Sequence, residues 1–159
     1  MKKTFFTVVS VVVLVLAGAG LLFAQTDAHM GTWKLNVAKS KFAPGHTMKS
    51  ETRTYEPTGD GYKFSGERVD ADGSTHPEAF TVKYDGKDYP TTGDPSGADT
   101  LNVKLIDANH IDSTGKKEGK VVSTVTIVVS KDGKVMTITS KGKNAKGQSI
   151  NNVLVYDKK

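Results

Sequence analysis

Phe80-Thr81-Val82-Lys83-Tyr84-Asp85-Gly86 is the stretch that decides the fold. Apolar and polar residues alternate over Phe80 to Tyr84, the period of a strand with one buried face. An Asp-Gly pair then ends the run. That pair tolerates the positive φ angles of a tight hairpin, so a strand followed by a turn is predicted. The same punctuation recurs at Asp60-Gly61, Asp72-Gly73 and Asp132-Gly133. Successive pairs among the first three stand 12 and 13 residues apart, room for one strand and one turn.

Alternation continues on both sides. Trp33, Leu35 and Val37 oppose Lys34 and Asn36, and Tyr62 and Phe64 oppose Lys63 and Ser65. Leu101, Val103 and Leu105 oppose Asn102 and Lys104, while Val121, Val125, Ile127 and Val129 are predicted to face inward. Ile150 to Tyr156 reads both ways, with Val153 and Val155 on one face and Leu154 and Tyr156 on the other. Looser breaks fall at residues 93–97, 108–109, 115–119 and 142–147. The expected fold is all-β, a single antiparallel up-and-down barrel of about ten strands. Closure removes the exposed edges that such a meander would otherwise leave. A sandwich of two sheets is the rival architecture.

The N-terminus reads differently. Met1-Lys2-Lys3 is basic, Thr4 to Thr26 carries no charge, and Val8 to Leu16 is almost wholly Val and Leu. This is the pattern of a secretory signal peptide, residues 1–24, with cleavage expected between Ala24 and Gln25. A retained membrane anchor is the alternative, since the apolar run approaches the ~20 residues that span a bilayer. Residues 25–159 then form one domain, expected in the periplasm or outside the cell and as a monomer. There is no cysteine, which excludes disulfides, thiolate chemistry and lipid attachment through cysteine. The net charge of +5 loses two lysines and no acid with the leader, leaving +3. That mild balance does not point to nucleic acid, which calls for a concentrated basic face.

Gly31-Thr32-Trp33-Lys34-Leu35, followed by Ser40-Lys41-Phe42, resembles the opening of fatty-acid-binding proteins, and Val153 to Lys158 resembles their closing strand. Residues 27–159 are similar as a whole to exported bacterial lipocalin-like proteins. The shared phrases are Gly31 to Phe42, Lys83 to Pro90, Val129 to Lys134 and Asn151 to Lys158. The resemblance implies a calycin-type barrel in which Gly31 admits a close backbone approach and Trp33 plugs one end. It implies binding of a small apolar or amphipathic ligand, with no assigned ligand in the bacterial group. Two departures stand out. The segment from Lys39 to Thr47 is too short for the helical lid of fatty-acid-binding proteins. Their closing arginine, which meets the ligand carboxylate, is replaced by Leu154, while the tyrosine persists as Tyr156.

Little else in the chain carries chemistry. No Gly-x-Ser-x-Gly elbow is present, so an enzyme is not expected. His29, His46, His76 and His110 stand apart near strand ends or loops and are read as turn or surface residues. No metal site, haem or other cofactor is expected from them. Asp70-Ala71-Asp72-Gly73 lacks the closing glutamate of a calcium loop and reads as a hairpin turn. Arg53 and Arg68 are the only arginines. Arg68 follows Tyr62, Phe64 and Gly66 in the inward register, where a guanidinium clamps a carboxylate bidentately. The bland alternative for either arginine is a surface pair with an acid such as Glu51 or Glu67. The expected ligand-binding set is Tyr62, Phe64, Arg68, Phe80, Tyr84 and Tyr156. A small barrel is also able to fill its interior with the same side chains. A filled barrel acting as a cell-envelope interaction module is therefore the alternative function.

Overall fold

The computed structural model describes residues 27–45, 47–94, 96–143 and 147–159. The predicted leader, His46 and the tip of the 142–147 loop lie outside those residues. Three of the four Asp-Gly pairs form the turns expected of them. Gly73, Gly86 and Gly133 have φ of 91°, 72° and 69°. Each preceding aspartate Oδ1 accepts a hydrogen bond from the backbone N–H two residues on, at Ser74, Lys87 and Lys134 (2.8, 3.0 and 3.1 Å). At Asp60-Gly61 the positive φ falls on Gly59 instead (83°). Gly61 is needed for another reason, because a Cβ there would lie 1.9 Å from the Val82 carbonyl oxygen.

The turns connect ten strands: β1 (Gly31–Leu35), β2 (Met48–Pro57), β3 (Gly61–Asp70), β4 (Thr75–Lys83) and β5 (Asp88–Thr92). The second half is β6 (Thr100–Asp107), β7 (His110–Lys117), β8 (Lys120–Val129), β9 (Val135–Lys143) and β10 (Ser149–Lys158). Each pairs antiparallel with the next, and β1 closes the barrel against β10. The sandwich is therefore excluded. Between β1 and β2 the only helical structure among the described residues is a 3-10 turn, Val37–Lys39, so no helical lid is present there.

The ladders differ in length. β3 matches nine residues with β2 and nine with β4, whereas β4 and β5 meet only through Ala79–Thr92 and Phe80–Thr91. The core is apolar, built on Trp33, Leu35, Tyr55, Tyr62, Phe64, Val82, Val103, Ile111, Ile127, Met136 and Tyr156 among others. In β10, Ile150, Asn152, Leu154 and Tyr156 are buried, which resolves the ambiguous alternation.

Three expected inward positions are corrected. Val37 leaves the strand for the 3-10 turn, where the Asn36 side chain accepts from Lys39 N–H, and is 42% exposed. Val121 is 60% exposed, because the β7–β8 register shifts after Gly115 and breaks the period. Leu105, beside a second register shift in β6–β7, is 40% exposed.

The residues before β1 cross one end of the barrel. Ala28 N–H donates to the Ala108 carbonyl, and Trp33 Nε1 donates to the His29 carbonyl at 2.8 Å. Two connections cover the other end. Ala43 N–H donates to Asn152 Oδ1 at 2.6 Å, holding the β1–β2 segment. The β5–β6 loop rests on β8 through Ser96 Oγ and Ser123 Oγ, 3.1 Å apart.

Candidate functional site

Strands β2, β3 and β4 set out the inner wall in rows. Directly opposed residues on antiparallel strands share a face, so the register fixes which side chains meet. Near the end crossed by the residues before β1, Pro57, Tyr62 and Val82 stand in line. The next row is Tyr55, Phe64 and Phe80, extended by Thr91 of β5. Beyond it come Arg53, Gly66 and Glu78, and finally Glu51, Arg68 and His76. The wall therefore passes from aromatic to charged along a few residues of each strand.

The aromatic rows interlock. Phe64 stacks on Phe80 with ring centroids 4.6 Å apart, and Tyr55 meets Phe64 and Tyr62 at 5.2 and 5.4 Å. Tyr62 adds contacts to Tyr84 at 5.6 Å and to Phe80 at 6.0 Å. Such pairs contribute roughly 0.5–1.5 kcal/mol each beyond the area they bury. Gly66 makes this packing feasible: a Cβ there would come 2.7 Å from the Phe64 ring.

In the charged rows Arg53 is the centre. Its Nε donates to Glu51 Oε1 at 2.8 Å, and its Nη1 donates to the Tyr55 hydroxyl oxygen at 3.2 Å. Its Nη2 lies 3.5 Å from Glu78 Oε2. The guanidinium carbon stands 4.9 Å from the centroid of the Phe64 ring and 5.7 Å from that of Tyr156. Tyr156 in turn donates to Glu51 Oε2 at 2.5 Å. Glu51 and Glu78 are both buried.

Burial and charge shape the proton affinities. Burial works against the Arg53 charge, but Glu51, Tyr55, Tyr156 and Glu78 outweigh it and hold its pKa well above the ordinary range. Burial raises the Tyr156 phenol well above its usual value; Arg53 opposes this and Glu51 reinforces it. Glu78 is pushed up to about 7, chiefly by desolvation, with Arg53 pulling down and Asp94 and Glu51 pushing up. An interior carboxyl thus titrates near neutrality, beside a guanidinium that stays charged.

The expected site residues fall into three places. Tyr62, Phe64, Phe80 and Tyr156 line the rows just described. Arg68 lies one row further out, 17% exposed, with its Nε 2.9 Å from Asp70 Oδ1. Tyr84 sits at the opposite end, donating a short hydrogen bond to Asp27. Gly31 has φ of 110° with the Lys158 side chain, rather than another stretch of backbone, packed over it, and Trp33 is wholly buried. The central charged residues, Glu51, Arg53 and Glu78, were not in the expected set. Their signal was there in the alternation, since Glu51 and Arg53 share a face with Tyr55, and Glu78 with Phe80 and Val82.

His29 is a correction. It is wholly buried rather than a surface residue, because the segment before β1 folds under the barrel. Its Nδ1 lies 2.6 Å from Asp27 Oδ1. Burial opposes the Asp27 charge, but hydrogen bonds from His29 and Tyr84 outweigh it and lower its pKa. His76 and His110 sit beside Asp70 and Asp112, partly exposed. Among the described residues no group of His, Asp and Glu side chains is placed to hold a metal. Open depressions lie on the outside of the end crossed by the residues before β1, one of about 500 Å³ against Ala28, Met30, Ala108 and Lys131.

No protein family matches the chain by sequence, and no curated protein matches it. Among solved structures, the ileal bile acid-binding protein of zebrafish, complexed with cholic acid, is similar over 83% of this chain and 99% of its own. The identity is 14% and the TM-score 0.46.

Proposed function

We propose that the protein is an exported, non-catalytic barrel that binds a small amphipathic molecule on the inner wall of β2–β5. The observation that carries this reading is the division of that wall into aromatic rows and a charged row. An apolar surface with a few convergent polar groups is the usual design of a small-molecule site. The apolar part of the ligand rests against Tyr62, Phe64 and Phe80, and its polar head reaches the row of Arg53 and Glu78. Export is supported by the basic start and uncharged run of residues 1–24. A cut there leaves Gln25 as the mature N-terminus, which intact-mass measurement reads directly.

A free carboxylate is not the favoured head. Leu154 stands where the closing arginine of fatty-acid-binding proteins would be, and the Tyr156 hydroxyl already serves Glu51. Arg53 is engaged by Glu51 as well, so an incoming acid competes with an internal one.

The interlocked rings favour a second reading, in which the barrel is filled and its outer surface contacts an envelope partner. Native mass spectrometry of the protein purified from its own source separates the two. A noncovalent small-molecule adduct, displaced by an environment-sensitive apolar dye, supports the binding barrel. Adduct-free spectra and no dye uptake favour the filled module.

A further inference from the structure

Glu78 is a buried carboxylate with a single weak partner. Its side chain is 91% buried, yet among the described residues its carboxylate accepts no hydrogen bond, and its one cation contact is Arg53 Nη2 at 3.5 Å. That distance is beyond a good charge-assisted hydrogen bond. Arg53 is spent elsewhere, on Glu51 at 2.8 Å and on the Tyr55 hydroxyl. The next inward row supplies a second such group. The Thr91 Oγ1 is buried without a hydrogen-bond partner and stands across from Phe80, two residues beyond Glu78 on β4. Buried polar atoms are nearly always satisfied, so Thr91 Oγ1, left open one row from the weakly paired Glu78, marks a place where a donor is missing.

The sign of the charge follows from the surroundings. The carboxylates around the row are Glu51, Asp70, Glu78 and Asp94; the guanidiniums are Arg53 and Arg68. The buried acids, Glu51 and Glu78, outnumber the one guanidinium between them, Arg53.

Resting on the binding reading above, we propose that the polar head recognised inside the barrel is a protonated amine. Glu78 accepts its charge-assisted hydrogen bond, Thr91 Oγ1 accepts a second, and the apolar chain lies along Phe64 and Phe80. The ligand class is a primary amine on a short apolar body.

Calorimetric titration of the purified protein with octylamine, octanol and octanoate at about pH 8, where Glu78 is mostly ionised, tests this. Octylamine is expected to bind about tenfold or more tighter than octanoate, against the attraction of the net positive chain for anions. Glu78→Gln is expected to abolish the advantage of octylamine over octanol. Thr91→Val, which touches no ion pair, is expected to weaken octylamine a few-fold. Octanoate binding as tightly as octylamine, or an amine advantage that survives Glu78→Gln, overturns the proposal. Octanol binding with no amine advantage overturns it while leaving the binding reading standing. Binding of none of the three ends both.

Discussion

Glu78 ties the stability of the fold to pH. Its folded-state pKa of about 7 lies above the ordinary 4.5, so the folded chain holds a proton that the unfolded chain has released. Stability therefore falls as pH rises through that interval and levels off above it. The groups that face it, Arg53, Glu51, Asp94 and Arg68, set the size of the effect. Glu78→Gln removes the penalty while Glu51 still holds Arg53. The variant should be more stable than the parent by about 1–3 kcal/mol at about pH 8, with the gain fading toward about pH 5. Denaturant melts at the two pH values check this, and a gain that does not depend on pH would sink it. Trp33 works the other way. It is wholly buried, hydrogen-bonded to the His29 carbonyl, and covered by the Lys158 ammonium 5.0 Å from its ring centroid. Trp33→Ala should cost about 3–5 kcal/mol. As the only tryptophan, it should emit at short wavelength and resist quenching in the native protein. Red, quenchable emission would remove it from the end of the barrel.

Among the elements, β5 stands out. It is five residues long and meets β4 through two residue pairs, beside ladders of nine on β3. It is also the strand that carries Thr91. Short ladders open at low cost, because few hydrogen bonds and little buried area hold them. Hydrogen exchange should therefore show the amides of Asp88, Tyr89, Thr91 and Thr92 exchanging well before those of β2 and β3. Equal protection would mean that a ligand enters elsewhere. At this scale the sequence was most legible. Period-two alternation and Asp-Gly turns anticipated a closed meander, since each is a local consequence of backbone geometry. Its misreadings arose where register shifted, at Val121 and Leu105, or where a strand ended in a capped turn, at Val37. Charged residues hid the site. Alternation puts Arg53 and Glu78 on the inward face, but a charge in a strand ordinarily reads as solvent-facing. Only the three-dimensional meeting of Glu51, Arg53 and Tyr156, from strands far apart in sequence, shows how they are accommodated.

The whole molecule is a barrel with unlike ends. One is closed by Trp33 and by the Asp27–His29–Tyr84 hydrogen bonds. The other, beneath the β1–β2 and β5–β6 connections, lies beyond the charged row, whose Arg53 pairs with Trp33 in the β1–β2 ladder. A buried ion pair seldom adds stability over an apolar replacement, because desolvating both charges costs as much as their attraction returns. Glu51, Arg53 and Glu78 thus sit in an otherwise apolar interior at little gain to the fold, which the proposed amine site accounts for. The most direct test is an NMR search for intermolecular contacts in the protein saturated with octylamine. Contacts from the octyl chain to the ring protons of Phe64 and Phe80, with a shift of Thr91, are predicted. Contacts confined to Ala28, Met30 and Ala108 on the outer surface, with the inner wall unperturbed, would contradict binding inside the barrel.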